Sequence, residues 1–267
     1  MSAMWADIVA IYRASKKKQD VNWFTEHVAR PPASVVVYAL RRTRVTPNQV
    51  TFASAVLAAA AALVMALVPG HAWLIAAAGL YELSYVLDCA DGQLARLRKT
   101  PSPVGHLLDF LMDELKAMFL LGCVTARLWQ ETGHDWLLLV GLGALFCLAS
   151  GISLTSFTRR PEYAAATGRA VDAAPVVEVD DAPVRRRRGP VGLVVSGLEL
   201  AARFVVHYPQ YLWLCALLDR MDVYFWAYAG VNALYLARTL LQIVLALGRF
   251  APRAAPPGPS PGPGATA

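Results

Sequence analysis

Runs of apolar residues about 20 residues long restrict the possible folds of this chain more than any other feature. Because a helix of about 20 apolar residues crosses the hydrocarbon core of a bilayer, each run predicts a membrane-spanning helix. Composition agrees: only 16% of the 267 residues are charged, against about a quarter in soluble domains. We therefore predict an all-α, polytopic membrane protein with six transmembrane helices. The predicted spans lie at about residues 47–68, 72–96, 104–129, 136–157, 200–218 and 224–247.

Three segments are predicted outside this membrane bundle of residues 46–250. Residues 1–45 mix basic and apolar positions, which is typical of an N-terminal interfacial amphipathic helix. Residues 160–190 are rich in Ala, Pro and charge and predict a flexible cytoplasmic loop. Four arginines within it, at 185–188, suit anionic lipid better than nucleic acid beside a membrane, so no nucleic-acid partner is predicted. The Pro/Gly-rich tail, residues 251–267, predicts disorder.

Basic residues are distributed unevenly between the two ends of the predicted bundle. The connections after the first and third spans contain no Lys or Arg, whereas the opposite end collects most of the basic residues. Positive residues are retained on the cytoplasmic side of membrane proteins. We therefore expect a multi-pass protein of the cell (plasma or inner) membrane, with both termini in the cytoplasm.

Four aspartates interrupt the apolar pattern of the second and third spans: Asp88, Asp91, Asp109 and Asp113. Spacings of three and four residues place each pair on one helix face. A short connection near residues 99–103 makes the two helices antiparallel neighbours, so the pairs face each other near the cytoplasmic boundary. A charged side chain within a membrane segment costs at least about 2.5–3.5 kcal/mol, and four like charges require a cation. All-oxygen ligands favour Mg²⁺ or Mn²⁺, and we expect two ions.

Small residues and an arginine accompany the first aspartate pair. Gly92 and Ala95 share its helix face, and their small size lets a ligand approach the backbone. Arg96 follows one turn later and is suited to bidentate phosphate binding. Two metal ions, small residues and an arginine together suit a diphosphate.

These residues form a motif that resembles the signature of the CDP-alcohol phosphotransferases, also called CDP-alcohol phosphatidyltransferases. That signature is DxxDGxxAR, a spacer of about eight residues, and GxxxDxxxD. All of its fixed positions are matched, at Asp88, Asp91, Gly92, Ala95, Arg96, Gly105, Asp109 and Asp113. Residues 46–51, TPNQVT, also resemble the TPNxxT turn that opens the first span in many members.

The resemblance implies an enzyme of phospholipid biosynthesis. It would transfer a substituted phosphate group, such as phosphatidyl from CDP-diacylglycerol, to an alcohol such as inositol phosphate or glycerol phosphate, with release of CMP. Asp88, Asp91 and Asp109 would bind metal, and Asp113 would bind metal and act as the general base. The implied donor-binding residues are Asn48, Gln49, Val50, Thr51, Gly92, Ala95, Arg96, Ser102 and Gly105. Family members are commonly homodimers embedded in membrane lipid.

Cationic side chains in the later spans are candidates for binding a phosphate on the acceptor. Arg203 and His207 lie four residues apart in the fifth span, Arg238 lies in the sixth, and Arg159 ends the fourth. Alternatively, these side chains extend to the membrane interface or form ion pairs with glutamates. Lys116, in the third span, is expected to form a structural pair with Glu114 or across helices.

Two other functions would also place charge within a membrane. A cation- or proton-coupled transporter accounts for the aspartates, but not for the glycines, alanine and arginine at fixed offsets from them. A membrane scaffold with a basic loop leaves the aspartates unexplained. The enzyme is therefore favoured.

Overall fold

A computed structural model describes most of the chain, and every regular element in it is helical, which confirms the all-α prediction. The described residues are 3–14, 23–100, 102–167, 197 and 200–248. Their helices are α1 (Ala3–Ala14), α2 (Arg30–Leu40), α3 (Pro47–Leu67), α4 (His71–Leu97), α5 (Pro103–Thr132), α6 (Trp136–Thr158), α7 (Pro161–Thr167), α8 (Pro209–Leu217) and α9 (Met221–Leu247). A π-helical turn, Thr25–Ala29, leads into α2, and residues 200–206 are helical ahead of α8.

Four of the described helices are long and apolar enough to cross a membrane: α3, α4, α6 and the Met221–Ala246 part of α9. At about 1.5 Å per residue, the 30-residue helix α5 is also longer than the hydrocarbon core requires. It carries six charged side chains, whereas α4 carries four and the other three helices carry at most two. A polytopic membrane fold is thereby confirmed, while the count of six spans stays a prediction.

The fifth predicted span is not continuous, and this part of the prediction is wrong. Helical residues 200–206 end in a turn at His207 and Tyr208, and α8 begins at Pro209. Proline has no backbone N–H, so Val205 would lose its helical hydrogen bond if the helix continued. The Tyr211 hydroxyl instead donates to the Val205 carbonyl at 3.1 Å. Pro209 therefore explains the break.

The predicted loop 160–190 also begins differently from expectation. Its first residues form the short helix α7, with Pro161 at a favourable N-terminal position and Glu162 in the first turn. Residues 168–190 and the predicted tail 251–267 lie outside the described residues, as do Lys16–Lys18 of the N-terminal segment.

Helix α3 is central to the packing because it contacts both α4 and α5. It presents Ala58, Ala61 and Ala62 to the core, where each is at most 1% exposed. Small side chains let neighbouring helices approach closely, as is usual within membranes. The motif-bearing ends of α4 and α5 are thereby held on the same central helix.

Helix α2 packs against the motif-bearing end of α4. Ser34 donates to the Gln93 amide oxygen at 3.1 Å, and the Gln93 amide nitrogen donates to the Arg30 carbonyl at 3.1 Å. All three residues are at most 5% exposed, so these bonds are shielded from water. A small apolar core surrounds them, formed by Ile11, Ala33, Val37, Val50, Ala90 and Leu94. The N-terminal segment is thereby fixed beside the predicted site.

Candidate active site

Helices α4 and α5 bring three of the four predicted aspartates together. Asp88, Asp91 and Asp109 each offer one carboxylate oxygen, and these oxygens lie within 4.8 Å of one another. Two oxygens on opposite sides of a Mg²⁺ ion lie about 4.2 Å apart, so small movements would close the group around an ion. The all-carboxylate donor set suits a hard divalent cation. The residues therefore fit the predicted metal.

Hydroxyl groups of α3 support the aspartates of α4. The Thr51 hydroxyl donates to the Asp91 carboxylate, and its oxygen also lies 3.2 Å from the Pro47 carbonyl oxygen. Ser54, one turn further on, donates to the Ser84 carbonyl at 2.9 Å and lies 3.4 Å from Asp88 Oδ1. Thr51 and Ser54 share one helix face, like the aspartates they meet. Thr51 thus contacts a predicted metal ligand as well as lying in the turn predicted to bind the donor.

Asp113 lies apart from this group of three and is held by Lys116. The ammonium nitrogen of Lys116 is 2.6 Å from Asp113 Oδ1 and 2.5 Å from Asp88 Oδ1. Lys116 therefore links the first aspartate of α4 to the last aspartate of α5. This is an interhelix pair, one of the two structural roles expected for Lys116.

The start of α3 meets the start of α5 at Asn48 and Ser102, which the sequence predicts to bind the donor. Ser102 is the N-cap of α5 and accepts from the Gly105 amide at 3.0 Å. A Cβ atom placed on Gly105 would lie 3.1 Å from Ser102 Oγ and 3.3 Å from Asn48 Oδ1. Gly105 therefore leaves room for two polar groups that are both exposed and available to a ligand.

The side chain of Arg96 folds back over Gly92. A Cβ atom on Gly92 would lie 3.3 Å from Arg96 Nη1, so the glycine allows the guanidinium to lie close to α4. Both residues and Ala95 are partly buried. Arg96 is thus placed one turn beyond Gly92, where a diphosphate bound at the predicted metal ligand Asp91 would meet it.

Two of the predicted donor-binding residues make structural contacts. The Gln49 side chain accepts from the Thr46 amide at 2.9 Å, while Thr46 caps the Gln49 amide. This reciprocal capping box fixes the first turn of α3. Val50 is 4% exposed and belongs to the small core between α2, α3 and α4.

The candidate acceptor residues fall into two separate groups. Arg159 and Arg238 line a cavity of about 240 Å³ between α6, α7 and α9. Its other polar lining residues are Thr155, Thr158, Tyr163, Tyr235, Thr239 and Gln242. Arg203 and His207 are absent from the lining of this cavity, and His207 Nδ1 lies 3.1 Å from the Arg203 carbonyl oxygen.

Sequence reasoning missed Ser54 as a contact of the site and did not connect Lys116 to the aspartates. Both signals are present in the sequence. Ser54 follows Thr51 by three residues and Lys116 follows Asp113 by three residues, so each shares a helix face with a motif residue. The signal in both cases is a polar residue one turn from a motif residue.

Comparisons with known proteins agree with the motif. The family model for CDP-alcohol phosphatidyltransferase matches residues 44–176. A phosphatidylinositol phosphate synthase from Corynebacterium glutamicum is 32% identical over 174 residues, which cover 63% of this chain and 74% of that protein.

Two crystal structures of the phosphatidylinositol phosphate synthase from Mycobacterium tuberculosis are also similar. One has CDP-DAG bound, and the other is a complex with manganese and citrate. Each is 20% identical and covers 82% of this chain, with 98% and 93% of the respective crystal chains covered. The TM-scores are 0.49 and 0.48.

The matched family, the identity to the Corynebacterium enzyme and the eight fixed motif positions agree with one another. They favour a transferase over the transporter and scaffold alternatives. The chain belongs to the CDP-alcohol phosphatidyltransferase family.

Proposed function

We propose that this transferase moves a phosphatidyl group from CDP-diacylglycerol to an inositol phosphate, with release of CMP. The observation that carries the proposal is the convergence of Asp88, Asp91 and Asp109 on the face of α4 that also presents Gly92 and Arg96. The inositol phosphate acceptor is favoured by the similarity to the Corynebacterium phosphatidylinositol phosphate synthase.

The four motif aspartates are proposed to hold two divalent ions, Mg²⁺ or Mn²⁺. Asp88, Asp91 and Asp109 already form a ligand group, and Asp113 lies close enough to Asp88 for one lysine to contact both. Divalent ions bound there would neutralise the donor diphosphate and stabilise the leaving CMP.

Donor binding is assigned to the two sides of the aspartate group. Arg96 is placed to donate to the diphosphate with the fork geometry that suits phosphate oxygens. Asn48 and Ser102, which approach each other over Gly105, would position the cytidine part of the donor. The small residues Gly92 and Ala95 keep the space between these groups open.

The reaction requires one base and one leaving group. Asp113 accepts the proton of the acceptor hydroxyl. The hydroxyl oxygen then forms a bond with the phosphorus that carries diacylglycerol. The bond from that phosphorus to the bridging oxygen breaks, and its electron pair leaves with CMP. Lys116 contacts one Asp113 oxygen and leaves the other oxygen for the acceptor.

The phosphate of the acceptor is proposed to bind in the cavity between α6, α7 and α9. Arg159 and Arg238 supply charge, and threonine and tyrosine hydroxyls supply further hydrogen-bond donors. The hydroxyl oxygens of Thr155 and Tyr235 lie 2.9 Å apart. This hydrogen bond links α6 to α9 on one side of the cavity. Arg203 and His207 lie outside this lining, so the cavity favours the Arg159–Arg238 pair.

The proposed setting is the cytoplasmic face of the cell membrane, with both termini in the cytoplasm and the enzyme a homodimer. The uneven distribution of basic residues supports this orientation.

CMP release by the purified protein tests the proposed function. CDP-diacylglycerol is mixed with Mn²⁺ and, in separate reactions, with inositol phosphate, glycerol phosphate, inositol or serine. We expect release to require the acceptor, to be fastest with inositol phosphate, and to disappear in Asp113→Asn. Equal rates with unphosphorylated inositol would contradict the acceptor assignment, and absence of CMP release with every acceptor would contradict the donor assignment.

A further inference from the structure

Lys116 is a buried cation placed directly between two motif aspartates. Its side chain is 7% exposed, and its nitrogen lies within ion-pair distance of Asp88 and Asp113. Both contacts join an ammonium to a carboxylate, the pairing of charge-assisted hydrogen bonds. The Lys116 carbonyl also lies 3.4 Å from the Tyr81 hydroxyl, which ties this turn of α5 to α4.

Lys116 is the cation on the Asp88–Asp113 side of the four motif aspartates, which we call the aspartate cage. Ser54 meets Asp88 and Thr51 meets Asp91, but both are neutral hydroxyls. Asp88 belongs to the three-aspartate metal group and also contacts Lys116. The lysine therefore contacts one member of the metal group, Asp88, and also the fourth aspartate, Asp113.

Charge determines what this arrangement does. The four aspartates together with Lys116 and Arg96 carry a net formal charge of −2, which one divalent ion brings to zero. A second divalent ion would make the site +2 before any donor arrives, beside Lys116 and Asp88, whose side chains are only 7% and 13% exposed. The donor diphosphate, with one negative charge on each phosphate, returns the site to zero.

We propose that Lys116 is a positioning residue that acts as the resident counter-cation of Asp88 and Asp113, so that the cage holds one divalent ion until the donor binds. This inference rests on the proposed function. Asp88, Asp91 and Asp109 hold the first ion. Lys116 keeps Asp113 oriented and excludes a second ion, which enters together with the negative charge of the donor. The order of binding thus protects the site from filling with metal in the absence of substrate.

Counting bound Mn²⁺ tests this inference without any measurement of activity. The full-length protein in detergent, free of nucleotide, is titrated with Mn²⁺ while electron paramagnetic resonance records the unbound ion. We expect one tightly bound ion per chain in the wild type and in Lys116→Arg, which keeps the charge. In Lys116→Gln and Lys116→Met the count is expected to double to two, because Asp88 and Asp113 lose their cation.

A count of two in the wild type, or a count of one in both neutral variants, would overturn the inference. The wild-type count decides alone if neither neutral variant folds. Asp91→Asn separates this inference from the proposed function. If Asp91→Asn binds Mn²⁺ as the wild type does, the proposed metal centre itself is contradicted. If Asp91→Asn loses Mn²⁺ binding but Lys116→Gln still binds one ion, only the role of Lys116 is contradicted.

Discussion

The Thr51 hydroxyl on α3 donates a hydrogen bond to the Asp91 carboxylate on α4, in an interface where the two residues are 3% and 5% exposed. The contact joins the TPNxxT turn at the start of the bundle to the acidic motif 40 residues later. A hydrogen bond from a second residue fixes the orientation of a ligating carboxylate and tunes its affinity for metal.

Thr51→Val is therefore expected to lower Mn²⁺ affinity about 10- to 100-fold, the range typical for loss of a contact that orients a metal ligand. Valine keeps the shape of threonine and removes only the hydroxyl. Titration calorimetry with Mn²⁺ measures the change. Thr51→Ser restores the donor and serves as the control. Equal affinity in the wild type and the valine variant would show that the hydroxyl does not orient Asp91.

Gly105→Ala is expected to raise the KM for CDP-diacylglycerol. The added methyl group would lie 3.1 Å from Ser102 Oγ and 3.3 Å from Asn48 Oδ1, so both groups must move from the positions proposed to hold the donor. The rate of CMP release as a function of donor concentration gives KM.

Gly122→Ala is the matched control for this substitution. Gly122 lies in the same helix, α5, and a Cβ atom there meets nothing within 4 Å. A donor KM that rises equally in both variants would indicate a general effect on α5 and would contradict the local explanation.

Arg238→Gln is expected to raise the KM for inositol phosphate about tenfold to a hundredfold, because a hydrogen bond to a charged group contributes about 1.5–3 kcal/mol. The KM for the donor should stay close to the wild-type value. Acceptor titrations at saturating donor measure the effect.

Arg220→Gln provides the comparison for that variant. Arg220 precedes α9, is exposed and pairs with Asp222 at 2.8 Å, so it lies at the opposite end of the helix from the cavity. If both arginine variants change the acceptor KM equally, the cavity is not the acceptor site.

Ser34→Ala is expected to destabilise the protein by about 1–3 kcal/mol, because the buried Gln93 amide oxygen then loses its hydrogen bond from Ser34. The loss should loosen α2 from α4. Thermal unfolding in detergent and limited proteolysis of the N-terminal segment report the two effects. Faster proteolysis is the decisive sign, since unchanged cleavage would mean that the Ser34–Gln93 bond does not hold α2.

Residue spacing was sufficient to predict the centre of the site, because helical periodicity is regular over the short distances involved. Offsets of three and four residues placed each aspartate pair on one face, and a short connection turned the two faces toward each other. Asp88, Asp91 and Asp109 converge for these reasons. Asp113 lies apart from the group, beside Lys116. The sequence did not predict this contact, because it offered no way to choose among the possible partners of Lys116.

Long-range contacts and local breaks were harder to predict. Apolar length alone suggested a continuous fifth span, yet Pro209 and the Tyr211 hydroxyl divide it. The docking of α2 depends on Ser34 and Gln93, which are 59 residues apart, and no periodic pattern relates them. The separation of Arg159 and Arg238 from Arg203 and His207 likewise depends on how the later helices pack.

Metal-dependent CMP release is the most direct test of the central claim that the aspartates of α4 and α5 form one catalytic metal centre. The purified protein is given CDP-diacylglycerol and inositol phosphate, with Mn²⁺ or with a chelator, as wild type and as Asp91→Asn. We expect CMP release by the wild type with Mn²⁺ only, and none above background from the variant. CMP release that persists in the chelator, or that continues at the wild-type rate in Asp91→Asn, would contradict a catalytic metal centre at these aspartates.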